Sequence, residues 1–147
     1  MAFENPTIDE LRAFLGSART IAVIGLSPDP DRPSYSVAMY LQGNGYRIVP
    51  VRPGGGELLG EPVFARLADI PFPVDVVDVF RASRFAGAHV DEAITAKARC
   101  VWLQEGVIDE AAALRGRRAG LLTVMDRCML KEHRKAGLST SRPPRPR

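Results

Sequence analysis

Short runs of apolar residues alternate along the chain with longer stretches in which apolar residues recur at helical spacing. This alternation is typical of βα units that build a parallel sheet. Because the runs are continuous rather than alternately polar and apolar, we expect helices to cover both faces of that sheet. The runs predict five strands, at residues 20–25, 46–51, 74–80, 99–104 and 120–125.

The stretches between the runs predict helices. A leading helix is expected over residues 8–15, with Thr7 as its N-cap. The helix after the first strand begins near Ser34 and ends before the segment "GNG", whose glycines suit a helix C-terminus. Further helical segments are predicted at residues 64–69, 84–97, 109–118 and 127–137.

Length and composition fit one domain with a single core. The chain has 147 residues, of which 46% are hydrophobic and 25% are charged. We therefore predict one α/β domain over residues 1–138, with a doubly wound, mostly parallel five-stranded sheet of Rossmann-like topology. The Pro- and Arg-rich residues 139–147 are predicted to form a disordered basic tail.

The net charge of +3 does not indicate a specific nucleic-acid-binding surface, because the basic excess is terminal. Seven of the 20 basic residues lie from Arg127 onward, with Glu132 as the one acid among them. A solvated end explains this segment, and a weak electrostatic hold on RNA or acidic lipid is the alternative.

Other features point to a cytoplasmic protein that does not enter a membrane. No apolar run approaches the ~20 residues of a membrane span, and the N-terminus lacks the basic and apolar blocks of a signal peptide. Cys100 and Cys128 have no C-x-x-C spacing, so we expect two reduced thiols.

Four segments follow predicted strands, at residues 25–35, 52–56, 80–84 and 104–106. Ligands of such sheets bind at the carboxyl ends of the strands, beside the point where the strand order reverses. We therefore expect these segments to form one binding crevice.

The residue types in the crevice favour an anionic ligand. Gly25 permits a tight turn, and Ser27 and Ser34 offer hydroxyl groups beside a helix N-terminus, where phosphate groups bind well. Arg32, Arg52 and Arg81 add positive charges around the same opening. Turn glycines and solvated arginines without a ligand are the alternative explanation.

Arg52 narrows the choice of ligand. An acid at the end of the second strand would bind a ribose diol, whereas an arginine suits a phosphate on that ribose. NADP carries such a phosphate at the 2′ position and coenzyme A at the 3′ position. The first turn reads "GLSPDP" and lacks the G-x-G-x-x-G pattern, which argues against NADP.

Five segments carry a family resemblance, in the family's order: "IAVIGLSPDPDRPSYSVAMYL", "GYRIVPVRP", "LADIPFPVDVVDVFR", "VWLQEGV" and "MDRCMLKEHR". Through them, residues 20–134 resemble the stand-alone CoA-binding domain proteins of bacteria and archaea. The chain is also similar to the CoA-binding domain of the succinyl-CoA synthetase α subunit, in which a Pro-Gly-rich loop follows the second strand, as "VRPGGG" does here.

The resemblance implies that coenzyme A is bound across the four segments. Gly25, Leu26 and Ser27 would approach its diphosphate, and Ser34 and Tyr35 would lie at the next helix start. The complete candidate site consists of Gly25, Leu26, Ser27, Arg32, Ser34, Tyr35, Arg52, Pro53, Phe80, Arg81, Gln104 and Gly106.

The later segments would contact the other parts of the ligand. Arg52 and Pro53 would lie by the adenosine 3′-phosphate, and Phe80 and Arg81 by the adenine or the pantetheine. Family members commonly carry Asn at the position of Arg52, so the role of this arginine rests on its charge.

The sequence offers little chemistry beyond binding. His89 is expected on a helix face, and a structural role is expected for His133. We find no metal-ligand spacing, no carboxylate pair and no nucleophile motif. Cys128, beside Arg127 and near a helix start, is in a setting where thiols are reactive. A mixed disulfide with the CoA thiol is one hypothesis for it, and half-buried packing is the alternative.

These features predict non-catalytic binding of coenzyme A or an acyl-CoA. The alternatives are an NADP-binding reductase, a CoA-ligase component that needs a partner subunit, and a domain whose pocket no longer holds its ligand. A homodimer remains open, and the sequence does not identify an acyl group.

Overall fold

The computed structural model describes residues 2–139. Within this range the chain forms five α-helices, seven strands and one 3₁₀ turn, Leu67–Asp69. The helices are α1 (Ile8–Ser17), α2 (Pro33–Gly43), α3 (Ser83–Thr95), α4 (Glu110–Arg118) and α5 (Met129–Lys135). The strands are β1 (Thr20–Ile24), β2 (Arg47–Val51), β3 (Glu57–Leu58), β4 (Glu61–Pro62), β5 (Val76–Val79), β6 (Cys100–Leu103) and β7 (Leu122–Val124).

Five of these strands form a parallel sheet in the order β2-β1-β5-β6-β7. At its carboxyl edge Ile24 lies between Val51 and Val79, so the loops after β2, β1 and β5 begin side by side. The predicted five-stranded parallel sheet is confirmed. The observed strands are slightly shorter than the apolar runs, because Phe80 and Met125 pack against the core from beyond the strand ends.

Helices cover both faces of the sheet, which confirms the doubly wound arrangement. On one face, α1, α2 and α5 bury Leu15, Leu41 and Met129 against the strands. On the other face, α3 and α4 bury small side chains, among them Val90 and Ala112. Since α2 follows β1 and α3 follows β5, the chain leaves these two adjacent strands toward opposite faces. This divergence opens a crevice at their carboxyl ends.

The loop after β2 differs from the prediction. Residues 52–62, for which the sequence predicted neither a helix nor a strand, contain the antiparallel pair β3 and β4. The chain then returns to β2, where the Arg52 N–H donates to the Phe64 carbonyl at 2.8 Å. Strands of two residues are too short to leave an apolar pattern in the sequence. The hairpin matters here because it carries the following residues back to the crevice.

The C-terminal end of the described chain contacts α2. Ser139, predicted as the first residue of the tail, places its hydroxyl 2.6 Å from that of Tyr40. The rest of the predicted tail, residues 140–147, lies outside the described residues. None of the helices within residues 2–139 is long and apolar enough to span a membrane.

Candidate functional site

The crevice begins at Gly25, where β1 ends. Its φ of +85° lies in the left-handed region that favours glycine. A Cβ atom at this position would come within 2.4 Å of the Phe80 carbonyl oxygen. The loop after β1 and the loop after β5 therefore approach closely only because residue 25 has no side chain.

One half of the crevice, here named the α2 lobe, has a volume of about 560 Å³. It lies on the α2 side of the sheet and is bounded by the loops after β1, β5 and β6. Its lining residues are Gly25, Ser27, Arg32, Pro33, Ser34, Val37, Phe80, Arg81, Gln104, Glu105, Gly106, Val107 and Cys128.

The other half, here named the α3 lobe, has a volume of about 440 Å³. Its lining residues are Ile24, Gly25, Leu26, Ser27, Val51, Arg52, Pro53, Ala65, Arg66, Leu67, Arg81, His89 and Glu92. Gly25, Ser27 and Arg81 line both lobes. The two lobes therefore adjoin over the ends of β1 and β5, and each is within the ordinary size range of ligand pockets.

The junction of the lobes lies at the N-terminus of α2. The Ser27 N–H donates to the Ser34 hydroxyl at 2.9 Å, and this bond holds the β1 loop against the helix. Arg32 occupies the N-cap position without a capping side-chain bond, and Pro33 begins the helix. Pro33 has no N–H, and the N–H groups of Tyr35 and Ser36 donate to the Arg32 carbonyl at 3.0 and 3.3 Å. The helix dipole still favours negative charge at this end of α2. The junction is thus suited to a phosphate group.

Three arginines surround the junction without carboxylate partners. The salt bridges of the described residues, 2–139, involve none of Arg32, Arg52 and Arg81. Arg52 donates to the carbonyls of Leu26 and Pro53 at 3.3 and 3.4 Å, contacts that orient its guanidinium but leave the charge uncompensated. Arg81 is held differently, with its guanidinium 4.4 Å from the centre of the Phe85 ring.

The α3 lobe contains two further polar side chains, Arg66 and His89, that the sequence did not reveal as site residues. Arg66, which the hairpin brings back to the crevice, lies 3.1 Å from Asp69 across a surface salt bridge. His89 is on α3 as predicted and lines the lobe, with its Nδ1 2.5 Å from Glu92.

The far wall of the α2 lobe is formed by the loops after β6 and β7. The Gly106 N–H donates to the Asp126 carboxylate at 2.7 Å. Asp126 has a φ of +58°, an uncommon conformation for a residue other than glycine, and this backbone turn directs its carboxylate toward the Gly106 loop. Cys128, half-buried, lies in the same wall.

A buried polar pair lies beneath the α2 lobe, formed by the candidate residue Gln104 and by Asp78, which the sequence analysis did not identify. The Gln104 Nε2 atom donates to Asp78 Oδ1 at 2.7 Å. Asp78 is fully buried in β5, and this burial raises the pKa of its carboxyl group to about 8. Gln104 is 3% exposed and lines the lobe, so the pair connects the core of the sheet with the crevice.

Eleven of the twelve candidate site residues line one or both lobes, and Tyr35 lines neither. Tyr35 is in the first turn of α2, one position beyond Ser34, and successive helix positions face different directions. His133 is 2% exposed and lies 2.7 Å from the Tyr40 hydroxyl, within the core rather than at the crevice.

Known proteins resemble this chain over nearly its whole described length. The family model described as "CoA binding domain" matches residues 19–134. The protein YneT of Bacillus subtilis (strain 168) is 35% identical over 130 residues, which cover 88% of this chain and 96% of YneT.

Solved structures agree with this match. A Thermus thermophilus protein is 41% identical with a TM-score of 0.85, covering 89% of this chain and 99% of that one. A Pyrococcus horikoshii OT3 protein is 34% identical with a TM-score of 0.85, covering 92% of this chain and 99% of that one. The chain belongs to the CoA-binding domain family.

Proposed function

We propose that this protein binds coenzyme A or an acyl-CoA without transforming it, with the ligand lying across both lobes. The observation that carries this proposal is the junction at Gly25 and Ser27. There a helix N-terminus meets three arginines that have no carboxylate partner within residues 2–139. A diphosphate is the part of coenzyme A that such a junction suits.

The adenosine end of the ligand is proposed to occupy the α3 lobe. Arg52 would bind the 3′-phosphate beside Pro53, and Arg66 adds a second cation on the same side. A guanidinium forms paired hydrogen bonds with phosphate oxygens. A 3′-phosphate therefore binds in this lobe with a more favourable free energy than a free ribose hydroxyl does.

The pantetheine arm is proposed to enter the α2 lobe. Val37 and Val107 provide apolar contacts there, and the Gln104 carboxamide provides a polar one. This mixture suits an arm that alternates methylene groups with amides. The thiol end would then pass near Cys128.

The two histidines support binding rather than catalysis. His133 is committed to Tyr40 inside the core, and His89 is paired with Glu92. Tyr40 and His133 line neither lobe, so a ligand bound in the crevice would not meet this pair.

Isothermal titration with CoA, dephospho-CoA and NADP tests the proposal. We expect CoA to bind more tightly than dephospho-CoA, and Arg52→Ala to weaken CoA about 10- to 100-fold through loss of charge-assisted hydrogen bonds. The matched control is Arg84→Ala, because Arg84 is an exposed arginine that packs on Phe85 and lines neither lobe. Binding of NADP without CoA would favour a reductase, and absence of any binding would indicate a pocket that has lost its ligand.

A further inference from the structure

Asp78 is an unusual residue for its position. It occupies the third place of β5, a central strand whose other residues are valines, and its exposure is 0%. Within residues 2–139, its Oδ2 atom is the buried side-chain oxygen without a hydrogen-bond partner. A buried and incompletely bonded carboxyl group destabilises a fold, so its presence calls for an explanation other than stability.

Within the described residues, Asp78 has one side-chain hydrogen-bond partner, Gln104, and this partner suggests what Asp78 does. Gln104 follows β6 and donates its Nε2 to Asp78 Oδ1 at 2.7 Å. A carboxamide has two donor hydrogens on nitrogen and one acceptor oxygen. With the nitrogen held toward Asp78, the oxygen is the end of the amide that remains for the α2 lobe. No described protein group donates to that oxygen.

An oriented acceptor suits some parts of the proposed ligand and not others; the adenine amino group and the ribose hydroxyl, which also donate, belong to the end proposed for the α3 lobe. Phosphate groups are themselves acceptors and gain nothing from a second acceptor, whereas a secondary amide presents an N–H donor. The pantetheine arm of coenzyme A contains two such amides and the nucleotide end contains none. The Gln104 carboxamide oxygen in the α2 lobe is therefore suited to accept a hydrogen bond from the pantetheine arm.

We infer that Asp78 is a positioning residue, which orients Gln104 so that its carboxamide oxygen accepts a hydrogen bond from an amide N–H of the pantetheine arm. This inference rests on the proposed function. Asp78 acts through Gln104 and does not touch the ligand itself.

The protonation of Asp78 suits this role. Burial raises the pKa of its carboxyl group to about 8, which leaves the group mostly uncharged at neutral pH. A neutral carboxyl still accepts from Gln104 through Oδ1. It does so without placing a negative charge beneath a ligand that carries phosphates.

The test compares CoA with adenosine 3′,5′-bisphosphate, which lacks the pantetheine arm and one of the two phosphates of the diphosphate, on the same variants. We expect Asp78→Ala and Gln104→Leu each to weaken CoA about tenfold, the loss typical of one buried hydrogen bond, and the double variant to lose no more than Gln104→Leu. Asp78→Asn keeps an acceptor oxygen at the same place and should restore most of the affinity. The bisphosphate should bind all four variants within about twofold of the parent protein.

The matched control is Asp75→Ala. Asp75 precedes the same strand, and its carboxylate accepts from the N–H groups of Arg19 and Thr20 at 2.8 and 3.0 Å, at the opposite edge of the sheet. Loss of this carboxylate should lower the free energy of unfolding and leave the ratio of the affinities for CoA and for the bisphosphate unchanged.

Several outcomes would overturn the inference. Equal weakening of CoA and bisphosphate by Asp78→Ala would indicate a structural role only. Strictly additive effects of Asp78→Ala and Gln104→Leu would show that the two residues act separately. Failure of the parent protein to bind either ligand would instead refute the proposed function, and the inference with it.

Discussion

The two lobes of the crevice differ in the chemical groups that they present to a ligand. The α3 lobe presents charged side chains from loops, with Arg52 and Arg66 open to solvent on one side. The α2 lobe presents, besides Arg32 and Arg81, an uncharged amide whose orientation is fixed by a carboxyl group inside the sheet. A charge attracts phosphate even before paired guanidinium hydrogen bonds form, whereas an uncharged amide contributes only when it is held in hydrogen-bond geometry. The two lobes should therefore respond differently to salt, to pH and to substitution.

The largest effect is expected at Gly25, because this residue lines both lobes. Gly25→Ala places a Cβ 2.4 Å from the Phe80 carbonyl oxygen, in a backbone conformation that alanine rarely adopts. We expect a loss of about 2–4 kcal/mol in the free energy of unfolding, together with loss of CoA binding. Urea denaturation and calorimetric titration would measure the two effects.

Gly56→Ala is the matched control for Gly25. Gly56 has nearly the same φ, +87°, but a Cβ there meets nothing within 4 Å. Its substitution tests backbone strain without the clash, and about 1 kcal/mol of destabilisation is expected with both lobes intact. Equal losses in the two variants would contradict the close approach of the β1 and β5 loops as the reason for a glycine.

The second-largest expected effect is a dependence of the free energy of unfolding on pH, which arises from Asp78 beneath the α2 lobe. In the unfolded chain the Asp78 carboxyl loses its proton near pH 3.9, whereas in the folded protein burial raises its pKa to about 8. Between these values unfolding releases a proton, so the contribution of Asp78 to stability declines as the pH rises. The decline is at most about 1.4 kcal/mol per pH unit and stops above the folded pKa.

Asp78→Asn isolates this contribution. Urea denaturation of the parent and the variant from pH 5 to pH 9 should show a stability difference that grows in favour of the variant up to about pH 8 and then stays constant. Cys100, whose pKa is raised first by burial and then by the nearby Asp78 carboxyl group, stays neutral over this range. A difference independent of pH would contradict a protonated Asp78 beneath the α2 lobe.

The contrast between the lobes also explains what the sequence could predict. Gly25 and Arg52 follow apolar runs whose ends are easily recognised, and the topology brings such ends together. Asp78 lies within the apolar run "VVDVF", and its partner is 26 residues away. Their contact depends on the register of β5 against β6, in which Asp78 pairs with Trp102. A single sequence does not reveal that register.

Two smaller discrepancies have local causes. Arg66 reaches the α3 lobe because the β3–β4 hairpin returns the chain to β2, where Val51 and Phe64 form a bridge. The family resemblance implied Tyr35 at the start of the helix after β1, where it lies, but it lines neither lobe. The helix begins at Pro33, and its phase therefore directs Ser34 rather than Tyr35 toward the crevice.

The smallest expected effect concerns the two cysteines. Cys128 lines the α2 lobe and is half-buried, whereas Cys100 is 0% exposed beneath the helices. Alkylation with iodoacetamide, followed by mass spectrometry, should modify Cys128 and spare Cys100 in the native protein. Bound CoA should slow the reaction at Cys128 severalfold, while adenosine 3′,5′-bisphosphate should not. Equal protection by both ligands would contradict an arm in this lobe.

A crystal structure of the protein with CoA tests the central claim most directly. The proposal predicts the 3′-phosphate within salt-bridge distance of Arg52 in the α3 lobe and the diphosphate at Ser27 and the start of α2. It also predicts the pantetheine arm in the α2 lobe, with an amide N–H bonded to Gln104. A 3′-phosphate remote from Arg52, or an arm directed away from Gln104 into solvent, would contradict it.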